Sequence, residues 1–172
     1  VAAGAAVGTV SDEGATALHH ACAHGHAEVV RRLHEHGADV RTRARKGLTG
    51  LMMASRGGHV AVVDVLVAAG ASVGAVRDDD WTALHFACHQ GHAEVVRRLH
   101  EHGADVDART TSCHTGLMLA AGRGHVGVVD MLVAAGAAVG AVDGNRWTAL
   151  HHACLQGHDA VVRRLHEHGA DV

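Results

Sequence analysis

The chain has 172 residues, with 15 basic and 18 acidic side chains and a formal net charge of −3. That balance excludes the strongly basic composition typical of a nucleic-acid-binding protein. No apolar run is long enough to predict a membrane span. Hydrophobic residues make up 48% of the chain but aromatic residues only 2%, so any core consists of small side chains, chiefly Ala, Val and Leu.

The first predicted helix has a cap and an apolar stripe. Thr16 stands where a helix N-cap is expected. Apolar residues then follow at i, i+3 and i+4, which places them on one face of a short helix; they are Leu18, Ala21 and Cys22. The Gly-His dipeptide at 25–26 ends this helix.

A second helix is predicted directly after that break. Val29, Val30 and Leu33 form its apolar stripe, and Gly37 follows its last turn, where a left-handed residue is expected. The polar segment 38–47 joins the next unit. Two helices of about two to three turns cannot bury their faces alone, so stacked neighbours must supply the missing surface.

The unit recurs every 33 residues, which indicates an array of structural repeats. A leucine, a histidine and a glycine each keep this interval five times: Leu18, Leu51, Leu84, Leu117 and Leu150; His26, His59, His92, His125 and His158; Gly37, Gly70, Gly103, Gly136 and Gly169. A second period of 66 separates odd from even units, since residues 31–37 recur at 97–103 and 163–169, whereas residues 65–70 nearly recur at 131–136. The building block is therefore a pair of units.

The unit resembles the ankyrin repeat. The residues that carry the resemblance are Thr82-Ala83-Leu84-His85-Phe86-Ala87, Gly91-His92 and Gly103-Ala104-Asp105-Val106, against the family pattern T-P-L-H-x-A. The resemblance covers essentially the whole chain. It implies an all-α solenoid of helix-turn-helix units with β-turn or hairpin fingers. Alanine replaces the usual proline in odd units, and Gly50 and Gly116 replace it in even units, where weaker helix starts are expected.

One array is expected over residues 1–172, with a partial repeat at 1–7 and units at about 8–40, 41–73, 74–106, 107–139 and 140–172. Residues 1–7 match 133–139, so the chain is expected to open inside the second helix of an even unit. We interpret the chain as a window from a longer array or, alternatively, as a module that stacks end to end.

Differences between units concentrate at the finger tips and the first helices. In proteins that resemble this one, these positions line a concave binding face, so we predict partner contacts there. The predicted residues are Arg45, Lys46, Leu48, Arg56, Asp78, Asp79, Trp81, Phe86, His89, Gln90, His114, Arg123, Asn145, Trp147, Leu155 and Gln156.

Trp81 and Trp147 are the two tryptophans of the chain and occupy equivalent tip positions. They are predicted hot spots of binding, with the alternative that each indole folds back over its own finger. The basic tip at Arg45 and Lys46 lies next to an acidic tip at 78–80, and together they could orient a partner of mixed charge. Solvated loops are the alternative for each charge alone.

The 19 histidines raise the question of a metal site or a catalytic site. The resemblance gives most of them structural places, at the inter-helix turn and in the T-x-L-H motif, where His19, His85 and His151 are expected to bond the backbone of the next repeat. Pairs such as His34 and His36 diverge on a helix and cannot converge on zinc. No metal site, cofactor or catalytic residue is predicted.

Cys22, Cys88 and Cys154 lie 66 residues apart, too far separated in a stack for a disulfide. Buried, reduced thiols are expected, which fits a cytoplasmic protein.

The sequence predicts a non-enzymatic scaffold that binds a protein partner. Two alternatives remain open: a self-assembling fibre or tube, and an accessory segment of a larger enzyme or channel. The sequence identifies no particular partner, because repeat scaffolds bind unrelated proteins with one fold.

Overall fold

The computed structural model describes residues 7–170, and within them the chain forms five pairs of α-helices. The helices are α1 Ala17–Ala23, α2 Ala27–Glu35, α3 Gly50–Gly57, α4 Val60–Ala68, α5 Ala83–Gln90, α6 Ala93–Glu101, α7 Gly116–Gly122, α8 Val126–Ala134, α9 Ala149–Leu155 and α10 Asp159–Glu167. No strand occurs in this part of the chain, and a short 3₁₀ turn lies at Arg45–Gly47. The predicted all-α repeat architecture is confirmed.

Each helix pair begins and ends at the residues that the repeat pattern marks. A threonine occupies the N-cap position of every first helix. In α5 the Thr82 hydroxyl accepts the His85 backbone N–H at 3.3 Å. Gly37, after α2, has φ +91° and takes the left-handed conformation expected beyond a helix C-terminus.

The pairs stack in two layers, because each first helix packs on the next first helix and each second helix on the next second helix. The core is a ladder of repeated leucines, valines and alanines; Leu51 and Leu117 are each 1% exposed. The longest helices in residues 7–170 have nine residues, and none of the helices there is long and apolar enough to cross a membrane. Residues 1–6 of the predicted partial repeat, and residues 171–172, lie outside the described residues.

The prediction that Val29 belongs to the buried stripe of α2 is wrong. Val30 is fully buried, but Val29 is 48% exposed. The equivalent Val95 of α6 is fully buried, because α6 packs between α4 and α8. Among the described second helices α2 packs on α4 alone, so one flank of its stripe stays open.

The prediction of buried thiols holds for two of the three equivalent cysteines. Cys22 and Cys88 are fully buried, and burial raises the pKa of the Cys22 thiol to about 12. Cys113, in a finger, is half-buried, and Cys154 is exposed because no further first helix packs over α9 within residues 7–170.

Candidate interaction surface

Five short turns, here called fingers, precede the first helices at residues 11–15, 44–48, 77–81, 110–114 and 143–147. The N–H of each finger's first residue donates to the carbonyl of its fifth residue, as from Arg77 to Trp81 at 2.9 Å. Each fourth residue has a positive φ, even at Asp80, Cys113 and Arg146. Consecutive fingers are tied by one backbone hydrogen bond each, such as Thr111 N–H to Asp79 carbonyl at 3.1 Å. The fingers therefore form a row in fixed register.

The histidines at the inter-helix turns form a second ladder. The Nε2 atom of His92 lies 3.1 Å from the Arg56 carbonyl oxygen, and His125 makes the equivalent contact with the His89 carbonyl at 3.2 Å. Each bond spans one repeat interface, so these side chains fix the spacing of first helices.

Two of the three T-x-L-H histidines, His19 and His85, join the fingers to the stack, as the resemblance implied. The His151 ring hydrogen-bonds Thr148 of its own repeat instead. In repeat 1 the His19 Nδ1 atom accepts the Thr16 backbone N–H at 3.1 Å, which leaves the Nε2–H to donate to the Thr42 carbonyl at 3.2 Å. His85 makes the same two contacts, the second to the Ala108 carbonyl at 3.0 Å. Burial lowers the pKa of His19 and of His85, although these carbonyl acceptors act in the opposite direction.

We call the surface formed by the fingers and the adjoining sides of the first helices the inner face. Its centre, in repeat 3, is an aromatic cluster. The Trp81 ring lies 5.0 Å from Phe86 and 5.5 Å from His89, measured between centroids, and the Arg77 guanidinium stacks 5.5 Å from the Trp81 ring. Phe86 is 7% exposed, so it supports Trp81 from below and offers little surface to a partner. The indole of Trp81 thus folds back onto its own repeat and is half-buried.

The equivalent tryptophan of repeat 5 is more open. Trp147 is 37% exposed and lies 5.6 Å from His152, the counterpart of Phe86. Leu155 at the end of α9 is 62% exposed. Repeat 5 therefore presents more accessible apolar surface on the inner face than repeat 3 does.

Seven of the predicted contact residues line two grooves. A groove of about 160 Å³ crosses repeats 3 to 5, and a groove of about 210 Å³ lies between fingers 1 and 2. The predicted residues in them are His89, His114, Arg123 and Gln156 in the first groove, and Arg45, Lys46 and Leu48 in the second.

The remaining predicted residues lie outside these grooves. Arg56, Gln90, Asp78 and Asn145 are exposed. Asp79 differs from the expectation of an open acidic tip, because the Arg77 guanidinium binds it with two hydrogen bonds. This hydrogen bonding lowers the pKa of Asp79 and raises that of Arg77.

The structure also brings together three side chains that no sequence pattern connects. The Nε2 atoms of His114 and His152 lie 3.4 Å and 3.0 Å from the Asp143 Oδ2 atom. The Asp143 side chain is 1% exposed. Burial would raise its pKa, but hydrogen bonds from the backbone N–H groups of Trp147 and Asn145, and from His152, hold the pKa below its usual value. The carboxylate is therefore charged.

A comparison with curated proteins found no significant match. The family model for ankyrin repeats, three copies, matches at residues 1–77, 42–110, 62–143 and 107–172, and these windows together cover the chain. The helix pairs, the capped T-x-L-H motif and the row of fingers agree with that match. The chain belongs to the ankyrin repeat family.

Proposed function

We propose that this chain is a scaffold that binds a protein partner through its inner face. Ankyrin repeats are generally protein–protein interaction modules and are typically non-catalytic. The observation that carries the proposal is that side chains differing between repeats lie together on the inner face, on a nearly invariant stack. Exposed Trp147 and Leu155 supply apolar area there, and tryptophan is enriched among residues that dominate binding energy.

The surface favours a partner with an apolar anchor and mixed charge. Trp147 and Leu155 offer the apolar contact, and Arg123 lies in the groove that crosses repeats 3 to 5. Arg77 neutralises Asp79, whereas Asp78 and Asp80 in the same finger remain exposed. The basic side chains of the inner face lie at Arg123 and at finger 2. Acidic residues flanking an apolar anchor would complement them.

The test compares variants of the inner face with a variant of an exposed residue elsewhere. Trp147→Ala and Leu155→Ala remove exposed apolar area without opening the core. Arg163→Ala is the control, because its side chain is 70% exposed on α10, a second helix. Proteins captured from the cells that make the chain are identified, purified and titrated back by calorimetry.

We expect one identified partner whose affinity falls by about 30-fold or more in Trp147→Ala, since a hot-spot residue contributes about 2 kcal/mol or more. Arg163→Ala should bind as the unaltered chain does. Equal binding by Trp147→Ala, Leu155→Ala and the unaltered chain would overturn the inner-face assignment. Sedimentation of the chain alone tests the self-assembling alternative, which predicts mass growing with concentration.

A further inference from the structure

We propose that His114, Asp143 and His152 form a binding site for a divalent transition-metal ion, with Zn²⁺ as the expected ion. Each residue offers one ligand atom, and the three atoms lie within 4.8 Å of one another. The site is built from finger 4, finger 5 and helix α9, so it bridges repeats 4 and 5. It stands independently of the partner-binding proposal.

The distances between the ligand atoms suit tetrahedral zinc. Ligands at about 2.0–2.1 Å from the ion are separated by about 3.3 Å along each tetrahedral edge. The two edges from the Asp143 Oδ2 atom measure 3.0 Å to His152 and 3.4 Å to His114. Small rotations of the two imidazole rings, which already lie edge to face at 5.4 Å, would complete the geometry.

The carboxylate is held in place before any ion arrives. Its Oδ1 atom accepts the backbone N–H groups of Asn145 at 2.8 Å and Trp147 at 2.9 Å. The Oδ2 atom is thereby left to face the two imidazoles. Hydrogen bonds to the non-ligating atom of a metal-binding side chain orient it and strengthen metal binding. Two histidines and one carboxylate are a ligand set that zinc sites use.

The internal repetition of the chain shows that this set is specific to one place. The positions 66 residues earlier hold Leu48, Arg77 and Phe86, which offer no comparable ligand set. The same fold therefore carries an aromatic and cationic cluster in one block and a two-histidine carboxylate cluster in the next. Backbone scaffolding alone does not demand ligand residues at these positions.

The donor set favours zinc or a similar ion over magnesium or calcium. Imidazole nitrogen suits Zn²⁺, Cu²⁺ and Ni²⁺, whereas magnesium and calcium prefer oxygen ligands. In the ion-bound state each neutral ring would carry its proton on Nδ1, so that Nε2, which faces Asp143 in the absence of an ion, could bind the metal. Three protein ligands leave one tetrahedral position for water or for a side chain of a bound partner. His114 and His152 line the 160 Å³ groove, which gives an ion access from solvent.

In the experiment, metal-free protein is titrated with ZnCl₂ by calorimetry in the presence of a competing chelator. The substituted residues are taken from the equivalent positions in other repeats of the chain. His152→Phe and His114→Leu place residues that the chain already accepts at the equivalent Phe86 and Leu48. His20→Phe is the matched control, because His20 is the repeat-1 counterpart of His152 and has Ser11 where Asp143 stands. It removes one histidine without touching the proposed site.

We expect each chain to bind one Zn²⁺ ion with high affinity. Any binding to the other histidines should be weaker. His152→Phe and His114→Leu should each lower the affinity for Zn²⁺ by about 100-fold or more. Removing a residue that only hydrogen-bonds to a zinc ligand already lowers metal affinity by about 10–100-fold. Asp143→Asn should weaken binding while it preserves the Oδ1 acceptor. Cobalt(II) should give the absorption of a tetrahedral site.

Two results would overturn the proposal. One is Zn²⁺ binding by His152→Phe and His114→Leu that equals binding by the unaltered chain. The other is an equal loss in His20→Phe, which would indicate diffuse chelation by many histidines. Melting curves without metal establish that each variant is folded, so a loss of affinity cannot be mistaken for unfolding.

Discussion

Acidification from pH 7.5 to pH 5 should destabilise the stack through its two buried T-x-L-H histidines. His19 is 1% exposed and His85 is fully buried, and each accepts a backbone N–H at Nδ1. Protonation would turn that acceptor into a donor facing another donor. Burial lowers the pKa of both rings below their ordinary value of 6.5.

The sign of the effect follows from which state binds more protons. Below about pH 6.5 the unfolded chain binds protons at these histidines while the folded chain does not. The free energy of unfolding therefore decreases as the pH is lowered. Each histidine contributes up to about 1.4 kcal/mol per pH unit until the pH reaches its folded pKa. Two histidines give up to about 2.7 kcal/mol per unit, or about 5–10 °C in Tm for a chain of this size.

Thermal melts followed by circular dichroism, with EDTA present, measure the slope. Even repeats carry methionine at the T-x-L-H position, as at Met52, so His19→Met is a substitution that the fold accommodates. It should lower Tm at pH 7.5, because hydrogen bonds to Thr16 and Thr42 are lost. It should also flatten the pH dependence.

The control is His24→Met, at an exposed histidine beyond the same helix, which should leave the slope unchanged. Equal Tm values at pH 5 and pH 7.5 for the unaltered chain would refute the reasoning. So would a slope in His19→Met as steep as in the unaltered chain.

Two further predictions concern glycines, each with a matched comparison, and thermal or urea unfolding measures both. Gly91 and Gly103 both have φ near +85°, but a Cβ at Gly91 would lie 2.7 Å from the His125 ring, whereas one at Gly103 meets nothing within 4 Å. Gly91→Ala should therefore lower the free energy of unfolding by about 1–2 kcal/mol more than Gly103→Ala does, because it displaces His125 and weakens its hydrogen bond to the His89 carbonyl. Equal losses of stability in the two variants would contradict this. A Cβ at Gly116 would lie 2.9 Å from the Cys88 Sγ atom. Gly116→Ala should therefore destabilise the chain by about 1–3 kcal/mol, but it should stabilise the Cys88→Ala variant by about 0.5–1 kcal/mol. A change in stability of the same sign in both proteins would exclude the contact as the cause.

The fold could be predicted from the sequence because its information is local and repeated. Caps, stripes and left-handed glycines recur at one interval, so each repeat tests the assignment of the others. Predictions failed where burial depends on the neighbour rather than on the residue. Val29 and Cys154 match buried residues in other repeats, but the helices that would cover them are not part of the described stack.

The candidate surface was predictable in position but not in detail. Variation between units marked His114 and Trp147, yet no local pattern showed that Phe86 is buried beneath Trp81 or that Arg77 binds Asp79. Those contacts depend on side-chain directions across a finger and a helix.

The sequence pattern did not predict the three proposed metal ligands as a set, for a related reason. Asp143 begins a finger, His114 ends the preceding finger, and His152 lies on a helix, so no short motif contains them. Comparison of equivalent positions could have found them, because at 143 and 152 the chain replaces Arg77 and Phe86 with two ligand residues.

The 66-residue period also has a physical basis at the interfaces between first helices. The Cys22 Sγ atom occupies the space where a Cβ on Gly50 would lie, at 2.9 Å, and Cys88 does the same at Gly116. At the alternate interfaces the cysteine position holds a smaller residue, Ser55 or Ala121, and the facing residue is alanine. A larger side chain on one helix thus accompanies a smaller one on the next.

That complementarity explains why even units tolerate a glycine at the start of a helix. The glycine weakens the isolated helix, but it admits a buried thiol whose contacts stabilise the stack. An interface from odd to even repeat therefore differs chemically from an interface from even to odd repeat. Exchanging a single repeat would mismatch both of its interfaces, whereas exchanging a pair preserves them. The pair is consequently the unit within which inner-face residues can diverge, and the difference between the Trp81 and Trp147 clusters is a divergence between two such pairs.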